Sequence, residues 1–255
     1  MAVNISLVVS TLNEEGNIAD CILSAKDLVN EIVIVDMQSE DRTVEIAKSL
    51  GATVYLIERK PFVDPTRNFA FSKANGEWIL PLDADERITP ALVEEFRRIA
   101  ENDEADVVLV QENVYMFGRL IRYSGWQESY FYRFFKKGFL EYSETEVHAT
   151  PIVKGRQFFL DPKKGKLIHY NYRDIYHFIS KMKDYTDGEA LKLLKKNGAL
   201  TPLRGVYWGL RHFLRRYFRK KGYKDGFYGF VLCVFMGFYW FLAFSKAWEK
   251  KQNKC

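Results

Sequence analysis

The chain has 255 residues, 47% of them hydrophobic, which suffices for one large α/β domain or for a domain with an appendage. Its net charge of +5 is unevenly distributed, because residues 201–255 contain twelve Lys or Arg and only two Asp or Glu, so that residues 1–200 are net acidic. This imbalance favours an anionic partner surface, either a membrane or a nucleic acid. The three cysteines form no CxxC pair, and no basic segment precedes the first apolar run, so we expect a reducing compartment and no cleaved signal peptide.

Apolar runs and helical patterns alternate over the first 112 residues. Short runs rich in β-branched residues predict buried strands at 5–10, 32–35, 53–57, 78–82 and 107–111. Helical spacing predicts intervening helices at 15–28, 43–50, 66–74 and 90–100. Strands joined by single helices favour right-handed crossovers, so we expect an α/β fold with a Rossmann-like, mainly parallel sheet flanked by helices.

The carboxyl end of the fourth predicted strand is the most informative feature of the chain. The strand runs into Asp83, Ala84 and Asp85, and if strand geometry continues, alternation places the two carboxylates on the same side. Paired oxygen ligands suit a divalent cation that carries a diphosphate. The alternative interpretation is that the two aspartates lie in a solvated turn. The first two strands also end in polar and acidic residues, at 10–14 and 36–41, which is where a parallel sheet binds its ligands.

From residue 113 the pattern changes to mixed aromatic, glycine and basic residues. Further strands are expected within 115–139, and helical spacing returns at 174–196. Arg133 and Lys136 lie among aromatic residues, where they either bind an anionic acceptor or cover the aromatic surface with their stems.

Residues 201–255 predict an amphipathic helix followed by an apolar one. Apolar side chains recur at helical spacing from Leu210 to Phe218, with arginines along another side. After a break, residues 227–245 contain no charge and just reach the length of a membrane span. We favour peripheral attachment to the inner leaflet, with a true span or a soluble packed helix as alternatives. A nucleic acid would fit the charge but not the uncharged aromatic run.

Four motifs follow one another over the first part of the chain: VVSTLNE at 8–14, IVDMQSEDRT at 34–43, TRN at 66–68 and LDADE at 82–86. In this order and spacing they resemble family 2 glycosyltransferases of the GT-A fold. The segments at 125–126, 132–138, 147–148 and 167–170 resemble the bacterial subgroup that glycosylates the lipopolysaccharide inner core.

The resemblance implies a nucleotide-sugar site with a divalent metal. The nucleotide-binding residues that it implies are Thr11, Leu12, Glu14, Asp36, Arg67, Asp83 and Ala84. Among these, Asp36 would accept from a uracil N3–H, Arg67 would lie near the diphosphate or the base, and Asp83 would contact the ribose. Asp85 and His169 would bind Mg²⁺ or Mn²⁺, and a purely structural hydrogen-bonded histidine is the alternative for His169.

Transfer with inversion also needs a general base for the acceptor hydroxyl. The resemblance gives this role to Glu128, with a surface carboxylate as the alternative and Glu146 as the second candidate. Trp126 and His148 would contact the acceptor or orient a loop, and Glu86 would support the metal ligands from behind.

The predicted organisation is a GT-A domain over residues 1–200, with a nucleotide-binding part at 1–112 and an acceptor part at 113–200, followed by a membrane-associating helical region at 201–255. The implied function is metal-dependent, inverting transfer of a sugar from a nucleotide-sugar donor, UDP-linked, to a glycolipid acceptor such as lipopolysaccharide core. The expected location is the cytoplasm, peripherally on the cytoplasmic face of the inner membrane, and no nucleic acid partner is expected.

Two alternatives to that function stay open at this level. One is a polyprenyl-phosphate acceptor, and the other is a catalytically silent, nucleotide-binding membrane scaffold on the same fold. The scaffold alternative is left open because the subgroup usually has an aspartate where this chain has Glu128, and a glutamate where it has Ala149. The sugar and the oligomeric state are not determined by the sequence.

Overall fold

The computed structural model describes residues 3–60, 66–142, 151–195 and 200–253. The chain packs as two compact units, the first formed by residues 1–113 and 129–169 and the second by residues 114–128 and 170–255. The boundary predicted at residue 200 separates a catalytic domain from a membrane-associating region. It concerns function and not packing, so it stays a prediction.

Strands and helices follow one another in the predicted alternation. The strands are β1 (Ile5–Thr11), β2 (Glu31–Asp36), β3 (Thr53–Leu56), β4 (Trp78–Asp83), β5 (Glu86–Arg87), β6 (Val107–Met116), β7 (Arg119–Leu120), β8 (Tyr130–Lys136), β9 (Leu140–Glu141), β10 (Ile152–Val153), β11 (Gln157–Phe159) and β12 (Leu167–Tyr172). The α-helices are α1 (Ile18–Ala25), α2 (Thr43–Ser49), α3 (Arg67–Lys73), α4 (Pro90–Glu101), α5 (Ile175–Lys195), α6 (Pro202–Leu214) and α7 (Gly226–Gln252).

The first unit is built on a mixed sheet with the strand order β3-β2-β1-β4-β8-β6-β12-β5. β1 pairs in parallel with β2 and β4, and β2 with β3, which confirms the predicted parallel sheet. β8 runs antiparallel between β4 and β6. β1 and β4 are buried along nearly their whole length, as expected for strands that are covered on both faces.

Aromatic stacking holds α4 on the sheet of the first unit. The ring of Phe134 lies 4.4 Å from that of Trp78 and 4.6 Å from that of Phe96, and all three are buried. Each such pair is worth about 0.5–1.5 kcal/mol beyond the area that it buries. The N-terminus of α4 is capped, because the Thr89 hydroxyl accepts from Leu92 N at 3.4 Å and Pro90 occupies the first helical position.

Two elements differ from the predicted bounds. α1 begins at Ile18 rather than at residue 15, and in the turn before it the backbone N–H groups of Glu14 and Glu15 donate to the side chains of Thr43 and Asp41. β6 extends five residues past its predicted end at residue 111. Its second half alternates buried and half-buried residues, which is the pattern of a strand with one covered face.

The second unit is mainly helical. A π-helical turn at Arg215–Arg219 and a 3-10 turn at Gly222–Asp225 connect α6 to α7, at the place where the sequence predicted a break. α6 and α7 approach closely where Gly209 faces Gly237, since a Cβ atom on either glycine would lie 2.9 Å from the backbone oxygen of the other. Small residues at a helix contact permit this close approach.

Within the described residues, one helical stretch, Gly222–Gln252, has the length and apolar composition of a membrane span. About a third of its most apolar window is buried in the protein, and length and composition alone fit a packed helix as well. Large apolar side chains are exposed along α6 and α7, including Leu203, Tyr207, Leu210, Phe227 and Phe238.

Candidate active site

The carboxyl ends of β1, β2 and β4 lie side by side. The parallel register pairs Thr11 with Asp36 and Ser10 with Asp83. The polar residues that the sequence placed at three separate strand ends therefore meet at one edge of the sheet, where open α/β sheets bind ligands.

Side-chain hydrogen bonds join the loops that follow β1 and β2. Asn13 N donates to Ser39 Oγ at 2.8 Å, and Glu14 N donates to Thr43 Oγ1 at 2.7 Å. The buried Asp36 carboxylate accepts from Ser39 N at 2.8 Å and from Ser39 Oγ at 2.5 Å. Since a carboxylate has about four acceptor positions, Asp36 can still accept from a further N–H that reaches it.

The hydroxyl of Thr11 is a buried polar atom without a hydrogen-bond partner in the described part of the chain. Buried hydroxyls are nearly always hydrogen-bonded, so an unpaired one at a strand end is a feature of a ligand site. Leu12 and Glu14, which follow it, are half-buried, and the Glu14 carboxylate accepts from Asn17 Nδ2 at 2.8 Å.

The two aspartates after β4 belong to different structural elements. β4 ends at Asp83, and Ala84 and Asp85 form a tight turn before β5, so the premise that strand geometry continues through Asp85 is wrong. The turn is closed by Glu86, whose Oε2 accepts from Asp83 N at 2.9 Å. Asp83 Oδ1 accepts from the Arg67 guanidinium at 3.2 Å. Burial would raise the pKa of Asp83, but nearby arginine charges outweigh it and lower the pKa to about 2.

His169 lies on β12 directly opposite Glu86 in the antiparallel register. Its Nε2 is 3.6 Å from Asp85 Oδ1, and its Nδ1 is 2.9 Å from Glu112 Oε2. Burial would lower the pKa of His169, but contacts with Asp85 and Glu112 outweigh it and raise the pKa well above the ordinary value. The two ring nitrogens therefore face two different carboxylates.

Arg133 on β8 is the buried cation that holds these carboxylates together. It donates to Glu86, and it also donates to Glu112 at 3.0 Å and lies 3.8 Å from Asp83. Burial raises the pKa of Glu86, and the charge of Arg133 offsets only part of this effect. At Glu112 burial also raises the pKa, but the hydrogen bond from His169 and the charge of Arg133 outweigh it, so the pKa of Glu112 is lowered. From the sequence, Arg133 and Lys136 were expected to bind an anionic acceptor or to cover aromatic surface. The main contacts of Arg133 are instead with carboxylates of this cluster, and Lys136 pairs with Asp103 and Asp106.

This cluster contains groups that could hold a metal ion. Ligand atoms of Glu86, Glu112 and His169 lie within 4.8 Å of one another. Asp85 adds a carboxylate on the other side of the imidazole. Carboxylate oxygens with an imidazole nitrogen are a donor set that suits Mn²⁺ and also accepts Mg²⁺.

Glu112 was missed as a site residue, and the contacts of Arg133 with the carboxylate cluster were not predicted, for two different reasons. Glu112 carried a usable signal, since alternation along β6 places it on the same buried face as Val110 and Val114. Arg133 carried none, because the register of β8 against β6 shifts at that position, where Tyr132 and Phe134 oppose successive β6 residues. Such a bulge re-aims a side chain and cannot be read from composition.

Of the remaining predicted residues, two belong to the second unit and two lie outside the described residues. Trp126 and Glu128 belong to the second unit, where the Arg216 guanidinium lies 4.8 Å from the Trp126 ring centroid and the Glu128 carboxylate pairs with Lys220. The Glu128 side chain is 59% exposed. Glu146 and His148 lie outside the described residues.

The sheet and its carboxylate corner are the features of a nucleotide-dependent transferase, and sequence comparison identifies the family. Residues 6–161 match the family model described as Glycosyl transferase family 2, and the chain belongs to that family and is a glycosyltransferase. It is 30% identical to an uncharacterized glycosyltransferase of Rickettsia typhi, over 96% of this chain and 87% of that relative. It is 25% identical to the lipopolysaccharide core biosynthesis glycosyltransferase LpsC of Rhizobium meliloti, over 98% of this chain and 94% of LpsC.

A solved structure supports the fold. Residues 1–349 of S. aureus TarS, crystallised in complex with UDP-GlcNAc, superpose with a TM-score of 0.54 at 15% identity, covering 98% of this chain and 92% of that one. The predicted GT-A-like α/β architecture with a C-terminal apolar helix is confirmed.

Proposed function

We propose that this chain is a metal-dependent, inverting glycosyltransferase that moves a sugar from a UDP-linked donor to a lipid-anchored saccharide such as lipopolysaccharide core. The observation that carries the proposal is the corner after β4, where Asp83 faces Arg67 and Asp85 faces His169 Nε2. It adjoins the unpaired Thr11 hydroxyl and the buried Asp36 across the strand ends. Together these groups offer acceptors for a nucleoside, a cation for phosphate and ligands for a metal.

The residues present fit a divalent metal ion. We assign Asp85 and His169 as its protein ligands, because the opposite ring nitrogen of His169 is bonded to Glu112, as is usual for metal-ligating histidines. Glu86 and Glu112 both contact Arg133, so we assign them the role of orienting His169 and the Asp83–Asp85 turn. A bound Mg²⁺ or Mn²⁺ would neutralise charge on the departing UDP.

The donor is assigned from the strand ends. Asp36 would accept the N3–H of uracil, with Thr11, Leu12 and Glu14 around the nucleoside and Asp83 and Ala84 at the ribose. The Arg67 guanidinium donates to Asp83 at 3.2 Å, which is shorter than the 3.8 Å between Arg133 and Asp83. We therefore assign Arg67 as the cation that would meet the diphosphate.

For the acceptor, we propose Glu128 as the base that removes the proton of the attacking hydroxyl. The hydroxyl oxygen then forms a bond to the anomeric carbon on the face opposite UDP, and the bond from that carbon to the UDP oxygen breaks. Trp126, Glu146 and His148 are proposed to bind or orient the acceptor. Support for a lipopolysaccharide-core acceptor comes from the likeness to LpsC over nearly the whole chain.

We further propose attachment to the cytoplasmic face of the inner membrane through α6, α7 and the turn between them. Seven Lys or Arg lie between Arg211 and Lys224, beside exposed aromatic side chains. Each basic residue near an anionic lipid surface contributes about 1 kcal/mol, so the group together favours peripheral binding.

The experiment that tests the site is thermal-shift titration of UDP-glucose, UDP-galactose and UDP-N-acetylglucosamine with and without Mn²⁺. A ligand present at about a hundred times its Kd raises the free energy of unfolding by about 2.7 kcal/mol, so at least one donor should raise Tm in the presence of Mn²⁺. Removing the metal with a chelator should abolish most of the shift.

The matched variants are Asp85→Asn and Asp20→Asn. The first should lose the Mn²⁺-dependent part of the shift, and the second, at a largely exposed carboxylate, should retain it. No shift with any donor, or an unchanged Mn²⁺ response in Asp85→Asn, would count against the proposed site. Transfer of labelled sugar to lipopolysaccharide-core rather than to polyprenyl-phosphate extracts distinguishes the two acceptors.

A further inference from the structure

The loop at residues 121–128, between β7 and β8, has an unusual backbone. Ser124 has φ +65° and Gly125 has φ +79°, and Ser124 is completely buried. A buried non-glycine residue in the left-handed region persists only where its surroundings determine it. Because this loop carries Trp126 and Glu128, what holds it in place matters for the acceptor side of the reaction.

The restraints on the loop backbone come from the segment between α6 and α7. Ser124 N donates to Lys220 O at 2.9 Å, and the Arg216 guanidinium donates to Ser124 O at 2.6 Å. The Asp225 carboxylate accepts from Arg122 N at 3.1 Å and from Tyr123 N at 2.8 Å.

Side chains add two further contacts between the same segments. The Arg216 guanidinium stacks over Trp126, and the Lys220 ammonium pairs with Glu128. The Lys220 stem lies 3.5–3.8 Å from the position that a Cβ on Gly125 would occupy. Arg216 and Lys220 thus each contact both the backbone and a predicted acceptor-side residue.

The local helix geometry explains how two neighbouring cations reach the loop. Residues Arg215–Arg219 form a π-helical turn, which is rare and occurs mostly at functional sites. It ends at Lys220, whose backbone N–H bonds Arg215 O at 2.9 Å. The wider turn sets Arg216 and Lys220 toward the loop while Arg219 is exposed.

We infer that Arg216 and Lys220 are positioning residues, which hold the 121–128 loop so that Trp126 and Glu128 are presented for acceptor activation. This inference rests on the proposed function in one respect, the assignment of Glu128 as the base. In the described residues, the charged groups that face Glu128 are Lys220 and Arg216, both cations. The Lys220 ammonium holds the Glu128 carboxylate, and the Arg216 guanidinium holds the Trp126 ring.

The test compares Lys220→Met and Lys220→Arg in full-length protein. The assay is UDP release from whichever of UDP-glucose, UDP-galactose and UDP-N-acetylglucosamine reacts fastest with a lipopolysaccharide-core acceptor. Lys220→Met should lower kcat by about tenfold and leave the KM for the donor within about twofold. Lys220→Arg should restore kcat, because it keeps a cation beside Glu128.

Lys195→Met is the control, because it removes the same charge at an exposed position of α5 in the same unit, and this side chain makes no ion pair within the described residues. Its kcat and its KM for the donor should equal those of the wild type. Arg216→Lys is the second variant, which keeps the charge but not the planar stacking on Trp126, so kcat should fall while the KM for the donor is unchanged. An unchanged circular dichroism spectrum and UDP thermal shift would show that each variant is folded.

The outcomes separate this inference from the function on which it rests. Wild-type kcat in Lys220→Met, with Glu128→Gln inactive, would overturn the positioning role and leave the proposed base intact. Full activity of Glu128→Gln would remove Glu128 as the base, and the inference with it. Equal losses in Lys220→Met and Lys195→Met would reduce the effect to general charge and overturn the specific role.

Discussion

Arg133 is the residue on which the acidic side of the site depends. It is buried and contacts Glu86, Glu112 and Asp83, so three carboxylates share one cation. Burying a charge is costly unless it is paired and hydrogen-bonded, and here each member of the cluster compensates the others. The same cluster fixes the ring of His169 through Glu112.

Removing this cation should therefore strongly destabilise the fold. We expect Arg133→Met to lower the free energy of unfolding by about 3–5 kcal/mol, because the buried Glu86 and Glu112 would lose the guanidinium that they share. Urea denaturation followed by circular dichroism measures this. Lys163→Met, at an exposed surface position, should change stability by less than about 0.5 kcal/mol. Equal effects of the two variants would contradict this account.

At the scale of elements, the pairing of β6 with β11 depends on the carboxylate of Asp106. Asp106 accepts from Arg156 Nε at 3.2 Å, from Arg156 N at 2.8 Å and from Lys136 Nζ at 2.9 Å, and these bonds hold the pKa of Asp106 well below its usual range. Gly155 is required beside it, since φ is +76° and a Cβ there would lie 2.6 Å from Asp106 Oδ2.

The pH dependence follows from the direction of that shift. A carboxyl whose pKa is lower in the folded state contributes stability above its unfolded pKa of about 3.9 and loses it as the pH falls towards the folded value. We expect Asp106→Asn to lower Tm at pH 7, through a loss of about 1.5–3 kcal/mol, and the difference from wild type to narrow below about pH 4. Asp103→Asn, at a mostly exposed carboxylate, should have a much smaller effect. A Tm difference that widened in acid would rule this explanation out.

The helix pair of the second unit depends on a glycine contact. A Cβ on Gly237 would lie 2.9 Å from Gly209 O, and that neighbour is backbone and cannot move aside cheaply. Gly237→Ala should therefore lower Tm despite the higher helix propensity of alanine.

Gly188→Ala in α5 is the matched control for that contact. A Cβ there meets nothing within 4 Å, so the same substitution should stabilise by up to about 1 kcal/mol. Thermal denaturation of both variants decides the matter, since an increase of Tm in both would show that the α6–α7 contact is not tight.

At the scale of the whole molecule, charge separates the two functions that we propose. Residues 201–255 carry the whole of the basic excess, and residues 1–200 are net acidic although they would bind an anionic donor. An anionic donor can bind to an acidic part of the chain only if a metal ion or nearby arginines offset the charge. Arg67 supplies the arginine, and the corner after β4 supplies the proposed metal ligands. The basic portion is then left for an anionic surface.

This predicts salt-dependent binding to vesicles that contain phosphatidylglycerol. Replacing Arg211, Arg215 and Arg219 together by glutamine should weaken binding by about a hundredfold, since each cation contributes about 1 kcal/mol. Co-sedimentation at two salt concentrations measures the effect. Replacing three exposed lysines of the first unit, Lys26, Lys48 and Lys163, is the control and should leave binding unchanged. Equal affinity for neutral vesicles would argue against an electrostatic surface.

The sequence by itself determined the alternation of strands and helices, the parallel order implied by it and the acidic strand ends, because each depends on local periodicity or on a motif. The cap at Thr89 and the glycine break before α7 were predictable for the same reason. It also carried enough motif spacing to identify the family that the comparisons confirm.

Only the tertiary structure decided how those parts combine. That His169 faces Asp85 with one nitrogen and Glu112 with the other depends on strand pairing between residues far apart in the chain. The turn at Asp85, the bulge that buries Arg133 and the contact of Lys220 with Glu128 are likewise long-range. Local patterns record which face of an element is buried, but not which charged groups share that interior, since this depends on the register and packing of the whole chain.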